Sequence, residues 1–263
     1  MKKNAVIALL TDFGLNDGFV GSMKGVILSS LPPTVQIVDV THSVEPQNID
    51  EAAYLLWSVF NYFPKGTIFV CVVDPGVGSK RKILCLQTDR FYFLAPDNGL
   101  LKFILGSAKP RAIVAVTNRK YFAKEVSSTF HGRDIFAPVA AHLANGLSIT
   151  KLGPKTKPLF AEEHFVEIVP DNKKVYVGKI IHIDHFGNII TNFHSRRLFS
   201  TRVRLQIRKS TISRFSKTYA DAKLGHPFVV PGSSKLLEVS LKNGNVARFL
   251  DARINQKIRL RMV

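Results

Sequence analysis

Four short stretches of this chain combine carboxylates, glycines and aromatic or hydroxyl side chains in patterns that can hold a ligand. In Asp74-Pro75-Gly76-Val77-Gly78-Ser79-Lys80-Arg81 an acid and a guanidinium flank a glycine-containing loop. Such a pair is commonly a loop salt bridge; buried together in a cleft, it can instead hold a water and tune its proton. Ser127-Ser128-Thr129-Phe130-His131-Gly132-Arg133-Asp134 sets a histidine among hydroxyls and a glycine at a helix start, with Arg133 and Asp134 expected to cap and brace that helix. Thr11-Asp12-Phe13-Gly14-Leu15-Asn16-Asp17-Gly18 supplies two carboxylates. One can accept from vicinal hydroxyls and the other can pair with an ammonium, although both also suit capping of the next helix. Asp184-His185-Phe186-Gly187-Asn188 offers a ring to stack and an amide with paired donor and acceptor, which suits adenine. The same residues also suit a tight turn.

Other chemistries are not supported. The glycine spacing after residue 10 is not GxGxxG and no lysine supplies a phosphate contact there, so dinucleotide and P-loop readings fail. No GxSxG occurs. His182 and His185 lack metal-ligand partner spacing, and no metal is expected. Pro96-Asp97-Asn98-Gly99 reads as a turn closing a hairpin.

The elements that must carry these loops follow from periodicity. Residues 5–10 and 67–73 are continuous apolar runs, as expected of strands buried on both faces, and 35–40 reads as a strand. Phe19, Val20, Met23, Val26 and Ile27 recur at helical spacing. Asn48 with Glu51 forms a capping-box pattern opening a second helix, which Pro64 and Gly66 end. Runs 83–88 and 91–95 flank Asp89-Arg90 as a hairpin, 113–117 adds a strand, and 135–145 is helical with Gly146 as its stop. Strands alternating with helices predict an α/β N-terminal domain with a largely parallel central sheet over residues 1–158. A proline-bearing connecting stretch, 159–174, then leads to a smaller all-β, barrel-like domain over 175–263, with strands at 175–183, 203–207, 235–239 and 257–261.

The 263 residues are enough for a large core, and 46% hydrophobic with 21% charged residues is ordinary for a globular protein. No apolar stretch approaches the roughly 20 residues of a membrane span, and with no signal peptide visible a cytoplasmic protein is expected. Cys71 and Cys85 lie in apolar runs without CxxC spacing and read as buried free thiols. The unusual bulk property is charge: 37 Lys+Arg against 19 Asp+Glu, a net +18. The excess concentrates at 196–223, where nine basic residues face one acidic. A solvated basic surface or a charged barrel edge accounts for this; a nucleic-acid contact is the alternative.

Taken together, the motifs TDFGLNDGFVGSMKG, VDVTHSVEPQNIDEAA, FPKGTIFVCVVDPGVGSKRK, FLAPDNGLL, STFHGRDIFAPVAAHLANG, IDHFGNIITN and VPGSSKLLEVS resemble the S-adenosyl-L-methionine hydroxide adenosyltransferase family, which is similar in fold to the fluorinase and chlorinase enzymes. The resemblance implies a homotrimer with active sites at subunit interfaces and S-adenosyl-L-methionine as substrate, with no cofactor. It implies that Asp12 holds the ribose hydroxyls, Asp17 the methionine ammonium, Phe186 and Asn188 the adenine, and Asp184, Ser233 and Ser234 the methionine part, while Phe130 lines the pocket. Halogenating relatives replace the Asp of the DPGVG loop with an aromatic. Asp74, Arg81 and His131 therefore match the hydrolytic branch, with the three grouped around an attacking water. Gln47 stands where relatives often carry a large aromatic. Two other classes remain at this stage: a nucleic-acid-binding β module fused to an α/β domain, and a non-catalytic sensor of S-adenosyl-L-methionine or adenosine.

Overall fold

A computed structural model describes residues 5–30, 35–160, 175–195 and 203–262. The chain divides into two compact units, Met1–Glu163 and His164–Val263. Residues 161–174 of the expected connecting stretch, and 196–202 of the basic segment, lie outside the described residues.

The N-terminal unit is a three-layer α/β structure. Its strands are β1 (Val6–Thr11), β2 (Gln36–Thr41), β3 (Ile68–Val72), β4 (Ile83–Gln87), β5 (Tyr92–Pro96) and β6 (Ala112–Ala115). They form one sheet in the order β2-β1-β3-β5-β4-β6, in which β4 alone runs antiparallel, to both its neighbours β5 and β6, and the other five strands point the same way. Because successive side chains of a strand point to opposite faces, β1 feeds two cores. Ile7 and Leu9 pack with Met23 and Ile27 of α1 (Phe19–Ser29) and with Val139 and Leu143, while Ala8 and Leu10 pack with Leu56, Phe69 and Phe93 on the other face. That second face is aromatic: the fully buried Phe69 lies 5.0–5.6 Å, centroid to centroid, from Phe63, Phe91 and Phe93. Truncating such a residue costs about 3–5 kcal/mol.

Helix α2 (Ile49–Val59) starts as its residues demand, the Asn48 side chain accepting from the Glu51 N–H at 3.1 Å. The Glu51 carboxylate does not return to Asn48; it accepts from the Glu45 N–H at 2.9 Å and so ties down the incoming chain. Two expectations are corrected. Asp89-Arg90 closes the β4–β5 hairpin, whereas Pro96-Asp97-Asn98-Gly99 leaves β5 and enters a short helix, α3 (Lys102–Ser107), that periodicity did not reveal. The helix expected from residue 135 begins with a π-helical turn, Gly132–Phe136, in which Ala137 N–H reaches back to the Gly132 carbonyl, before α4 (Ala137–Ala144).

The C-terminal unit is all antiparallel. Strands β7 (Val175–Ile183), β8 (Ile189–His194), β9 (Val203–Ile207), β10 (Ser210–Ile212), β11 (Phe228–Pro231), β12 (Leu236–Ser240) and β13 (Lys257–Met262) lie in the order β10-β9-β13-β7-β8-β12-β11, with a short helix, α5 (Val246–Leu250). The segment after β10 meets β11 through Val229 N–H to Arg214 carbonyl (2.8 Å) and Ser216 N–H to Val229 carbonyl (3.0 Å), so the sheet is nearly closed and barrel-like. Ile180, Phe193, Leu205, Val239 and Ile258 fill its core. Strand β9 alternates strictly, with Val203, Leu205 and Ile207 buried and Arg204 exposed. It is no edge, since β10 and β13 flank it, so its one basic residue, Arg204, lies on the solvated face of an interior strand. Among the described residues no helix is long and apolar enough to cross a membrane.

Candidate active site

In the N-terminal unit the loops leaving the C-terminal ends of β1, β2 and β3, where α/β sheets place ligands, meet a fourth segment, the histidine loop that leads into α4. They enclose a cavity of about 430 Å³ whose walls include Asp12, Phe13, Phe19, Gln47, Asp74, Val77, Thr129, Phe130 and His131. One wall residue, Asp74, is half of an ion pair with Arg81. The Arg81 Nε donates to both oxygens of Asp74 at 3.0 and 2.8 Å, and its Nη2 reaches Asp74 Oδ2. The side chains are 5% (Asp74) and 11% (Arg81) exposed. Removing one partner of a pair so buried typically costs about 3–5 kcal/mol.

The same Nη2 lies 2.9 Å from His131 Nδ1. A guanidinium only donates, so Nδ1 must be the acceptor and the ring neutral, with its proton on Nε2. Burial, followed by the neighbouring Arg81 charge, pushes the His131 pKa below its ordinary value; Asp74, Asp134 and a backbone hydrogen bond with Ser127 oppose that without reversing it. Asp74, Arg81 and His131 are thus in one contiguous hydrogen-bonded row, as their residue types suggested.

Local sequence holds the row together. Gly78 has φ +77°, and a Cβ added there would sit 2.4 Å from the Ser128 carbonyl oxygen, so the DPGVG loop touches the histidine loop only because residue 78 has no side chain. Asp134, buried in the π-helical turn, accepts from the Ser127 N–H at 2.8 Å and pairs with Arg133 at 2.6 Å. Burial raises its pKa, but the Arg133 and Ser127 hydrogen bonds outweigh this and hold it below the ordinary value. Asp134 thus braces the preceding histidine loop through Ser127 and does not cap the helix, which has no side-chain cap, so the expected capping role is corrected. Asp12 accepts from the Gln47 N–H at 2.8 Å, with Gln47 in the left-handed region at φ 66°. The loop that follows β1 is pinned by His42, whose Nδ1 meets Thr11 Oγ1 at 2.8 Å and whose carbonyl accepts from Gly14 N–H.

Asp17 is exposed on the same loop and is not part of the cavity wall. Sequence reasoning also missed the aromatic trio of Phe13, Phe19 and Phe130, whose centroids lie 5.1–5.8 Å apart. The signal was Phe19 at 45% exposure at the start of α1, but exposure is not readable from periodicity alone.

The C-terminal unit has its own, wider pocket of about 730 Å³, lined by Asp184, Phe186, Asn188, Tyr219, Ser233, Glu238 and Lys242 among others. Asp184 builds the turn that presents the rest: its Oδ1 accepts from the N–H groups of Phe186 (2.9 Å) and Asn188 (2.8 Å), and its Oδ2 from Asn188 Nδ2 (2.9 Å). The tight-turn and ligand-site readings of this motif therefore coexist. Phe186 is left 74% exposed. Ser233 lines the pocket, whereas the Ser234 hydroxyl is buried behind it with no hydrogen-bond partner among the described residues. Tyr219, from the basic segment, donates to Glu238 Oε2 at 2.7 Å. Burial, then Glu238, pushes the Tyr219 phenol up to about 12, and burial pushes Glu238 above the usual carboxylate range. A Cβ at Gly232 would sit 1.9 Å from the Glu238 carboxylate, so any side chain there would push Glu238 out of its present place.

Residues 7–153 match the model of the SAM hydroxide adenosyltransferase N-terminal domain, and residues 178–259 that of the C-terminal domain. The chain belongs to the SAM hydroxide adenosyltransferase family. It is 35% identical to a protein of Salinispora tropica named (R)-S-adenosyl-L-methionine hydrolase, covering 97% of each chain. It is 29% identical to an Actinoplanes fluorinase, covering 90% of this chain and 91% of that one. A crystal structure of an uncharacterized conserved protein from Thermotoga maritima superposes with a TM-score of 0.87 at 34% identity, covering 97% of this chain and 99% of that one. The two matched ranges contain all the residues that wall the two pockets.

Proposed function

We propose that this chain hydrolyses S-adenosyl-L-methionine to adenosine and L-methionine, with a water or hydroxide attacking the ribose C5′. The observation that carries this is the Asp74–Arg81–His131 row, whose two ends, Asp74 and His131, line the cavity that also holds Asp12. The near full-length likeness to proteins named (R)-S-adenosyl-L-methionine hydrolase supports it.

The sulfonium is already a competent leaving group, so the enzyme has to place a water in line with the C5′–S bond and take its proton. As the O–C5′ bond forms, the C5′–S pair moves onto sulfur and neutralises it; methionine departs with no cofactor or metal required. Asp74 receives the water's proton. His131 is unsuited to that task because its Nδ1 is engaged with Arg81 and its Nε2 carries a proton. His131 instead offers that N–H to orient the water, and Arg81 offsets the negative charge around it.

Asp12, facing the same cavity, takes the ribose hydroxyls, and Phe130 lines the path to the reacting carbon. Asp17 takes the methionine ammonium. Phe186 and Asn188 receive the adenine, and Asp184 and Ser233 face the methionine portion. The protein works as a homotrimer with sites at subunit interfaces. Its two cysteines, free and buried, suit a reducing cytoplasm. Incubating the purified protein with each sulfonium epimer and quantifying adenosine and methionine tests the activity. Equal release of both products from the (R) epimer is expected, and recovery of intact substrate would refute it.

A further inference from the structure

The loop that carries both Asp74 and Arg81 has an awkward path. Strands β3 and β4 are not neighbours, because β5 lies between them. The chain leaving β3 must therefore arch over the C-terminal end of β5 before it enters β4. At that end stands the turn Asp97-Asn98-Gly99, which leaves β5 for α3 and does not close the hairpin. It grips both feet of the arch. Asn98 Nδ2 donates to the carbonyl of Val73, the residue before Asp74, at 2.9 Å. The Asp97 N–H donates to the carbonyl of Lys82, the residue after Arg81, also at 2.9 Å.

The second bond merely extends the antiparallel β4–β5 ladder beyond Ile83–Pro96. The first is different in kind. The parallel β3–β5 register ends at Val70 and Leu94, three residues short of Val73 on β3, so a side chain supplies the donor there. Asn98 itself is held by its other end, with Oδ1 accepting from the Leu100 N–H at 3.2 Å.

We infer that Asn98 is a positioning residue for the reaction: its side-chain amide fixes the Val73–Asp74 peptide and so the direction of the carboxylate that receives the water's proton. This rests on the reading of Asp74 given above. A carboxylate on a loop anchored only through its own ion pair would sample orientations that do not meet an in-line water, and small misplacements of a reacting group are costly.

The two ends of Asn98 have separate tasks, and that makes the role testable. Asn98→Asp keeps an oxygen for the Leu100 N–H and so keeps the turn, but it replaces the donor facing Val73 with an acceptor. The expected result is kcat lower by roughly 10- to 100-fold, with KM within about twofold of wild type and little change in Tm. Wild-type kcat in Asn98→Asp would overturn the positioning role, as would a loss expressed wholly in KM, which would mark general loosening of the site. Should Asn98→Asp fail to fold, Asn98→Ala, which adds no charge but removes the donor to Val73 and the Leu100 acceptor together, serves in its place: the same split between kcat and KM is expected, with a lower Tm marking the weakened turn. A wild-type protein that releases no adenosine would instead overturn the functional reading, so the two failures are distinguishable.

Discussion

In the N-terminal unit the ionisable side chains of the candidate site are tied to one another. Asp74 is bound through both oxygens to Arg81, Arg81 to His131, and the loops that carry them touch at Gly78 and are gripped by the turn after β5. In the C-terminal unit the corresponding polar groups are spent on the turn itself. Asp184 uses three hydrogen bonds to shape residues 184–188, and what it presents outward is a phenyl ring, 74% exposed, beside the amide of Asn188. The contrast separates two tasks. Chemistry needs charges held at fixed positions by a rigid sheet, because geometry sets the rate. Recognition of a flat aromatic ring needs area and a few directional partners, because each stacked base contributes only about 1–3 kcal/mol.

That division predicts different kinetic signatures. The largest effect is expected at Asp74. Asp74→Asn keeps the shape but removes the proton acceptor and leaves Arg81 buried beside a neutral amide. Turnover should fall by at least two to three orders of magnitude, the scale of general-base removal, with substrate dissociation constant little altered in equilibrium binding. Retained turnover in a steady-state assay would break the assignment of chemistry to this unit. A smaller effect of the opposite kind is expected from Phe186→Ala: KM should rise about 10-fold, for a loss on the order of 1–2 kcal/mol of stacking, while kcat stays near wild type. If kcat fell instead, the separation between the two surfaces would not stand.

Much of this was legible before any coordinates. Continuous apolar runs marked β1 and β3 because strands buried on both faces have no polar alternation, and the loops at their ends were legible because glycine and carboxylate at a strand tip seldom serve packing alone. What escaped has physical reasons. Helix α3 is only six residues, Lys102–Ser107, too short for periodicity to register. Strand β8 (Ile189–His194) follows the Gly187-Asn188 turn without a polar break, so turn chemistry masked its start. The basic segment read as surface because nine cations dominate its composition, whereas one tyrosine within it, Tyr219, reaches the pocket. The roles of Asn98 and of Gln47 N–H depend on partners 25 and 35 residues away in the chain, beyond any local pattern.

The pH response sharpens the comparison further. Since burial and Arg81 depress the His131 pKa, the neutral ring that accepts from Arg81 persists below the ordinary histidine value of about 6.5. The plateau of kcat against pH should therefore extend on the acid side past 6.5 before it falls. A limb centred at or above 6.5 would mean that the histidine is not held neutral. Stability follows the same sign. The unfolded chain takes up the proton first, so this residue's contribution is complete above about 6.5 and declines as pH falls from there toward the lower folded value.

The smallest effect belongs to the C-terminal pocket and has the reverse sign. Glu238 has a raised pKa because it is buried, and Asp184 adds to the rise. Between the ordinary carboxylate value and its raised one, the folded state holds a proton that the unfolded chain has released. Its stabilising contribution is then present at acid pH and lost as pH rises through the folded value. Glu238→Gln can still accept from the Tyr219 hydroxyl but carries no charge to bury. Its Tm relative to wild type should therefore climb as pH is raised from about 5 to 8, with kcat unchanged because the residue is remote from Asp74 in chemistry as well as in chain. A Tm difference that stays flat across that range would show that Glu238 is charged at both ends of it, and the C-terminal pocket would then hold a buried anion of its own, much as the N-terminal site does.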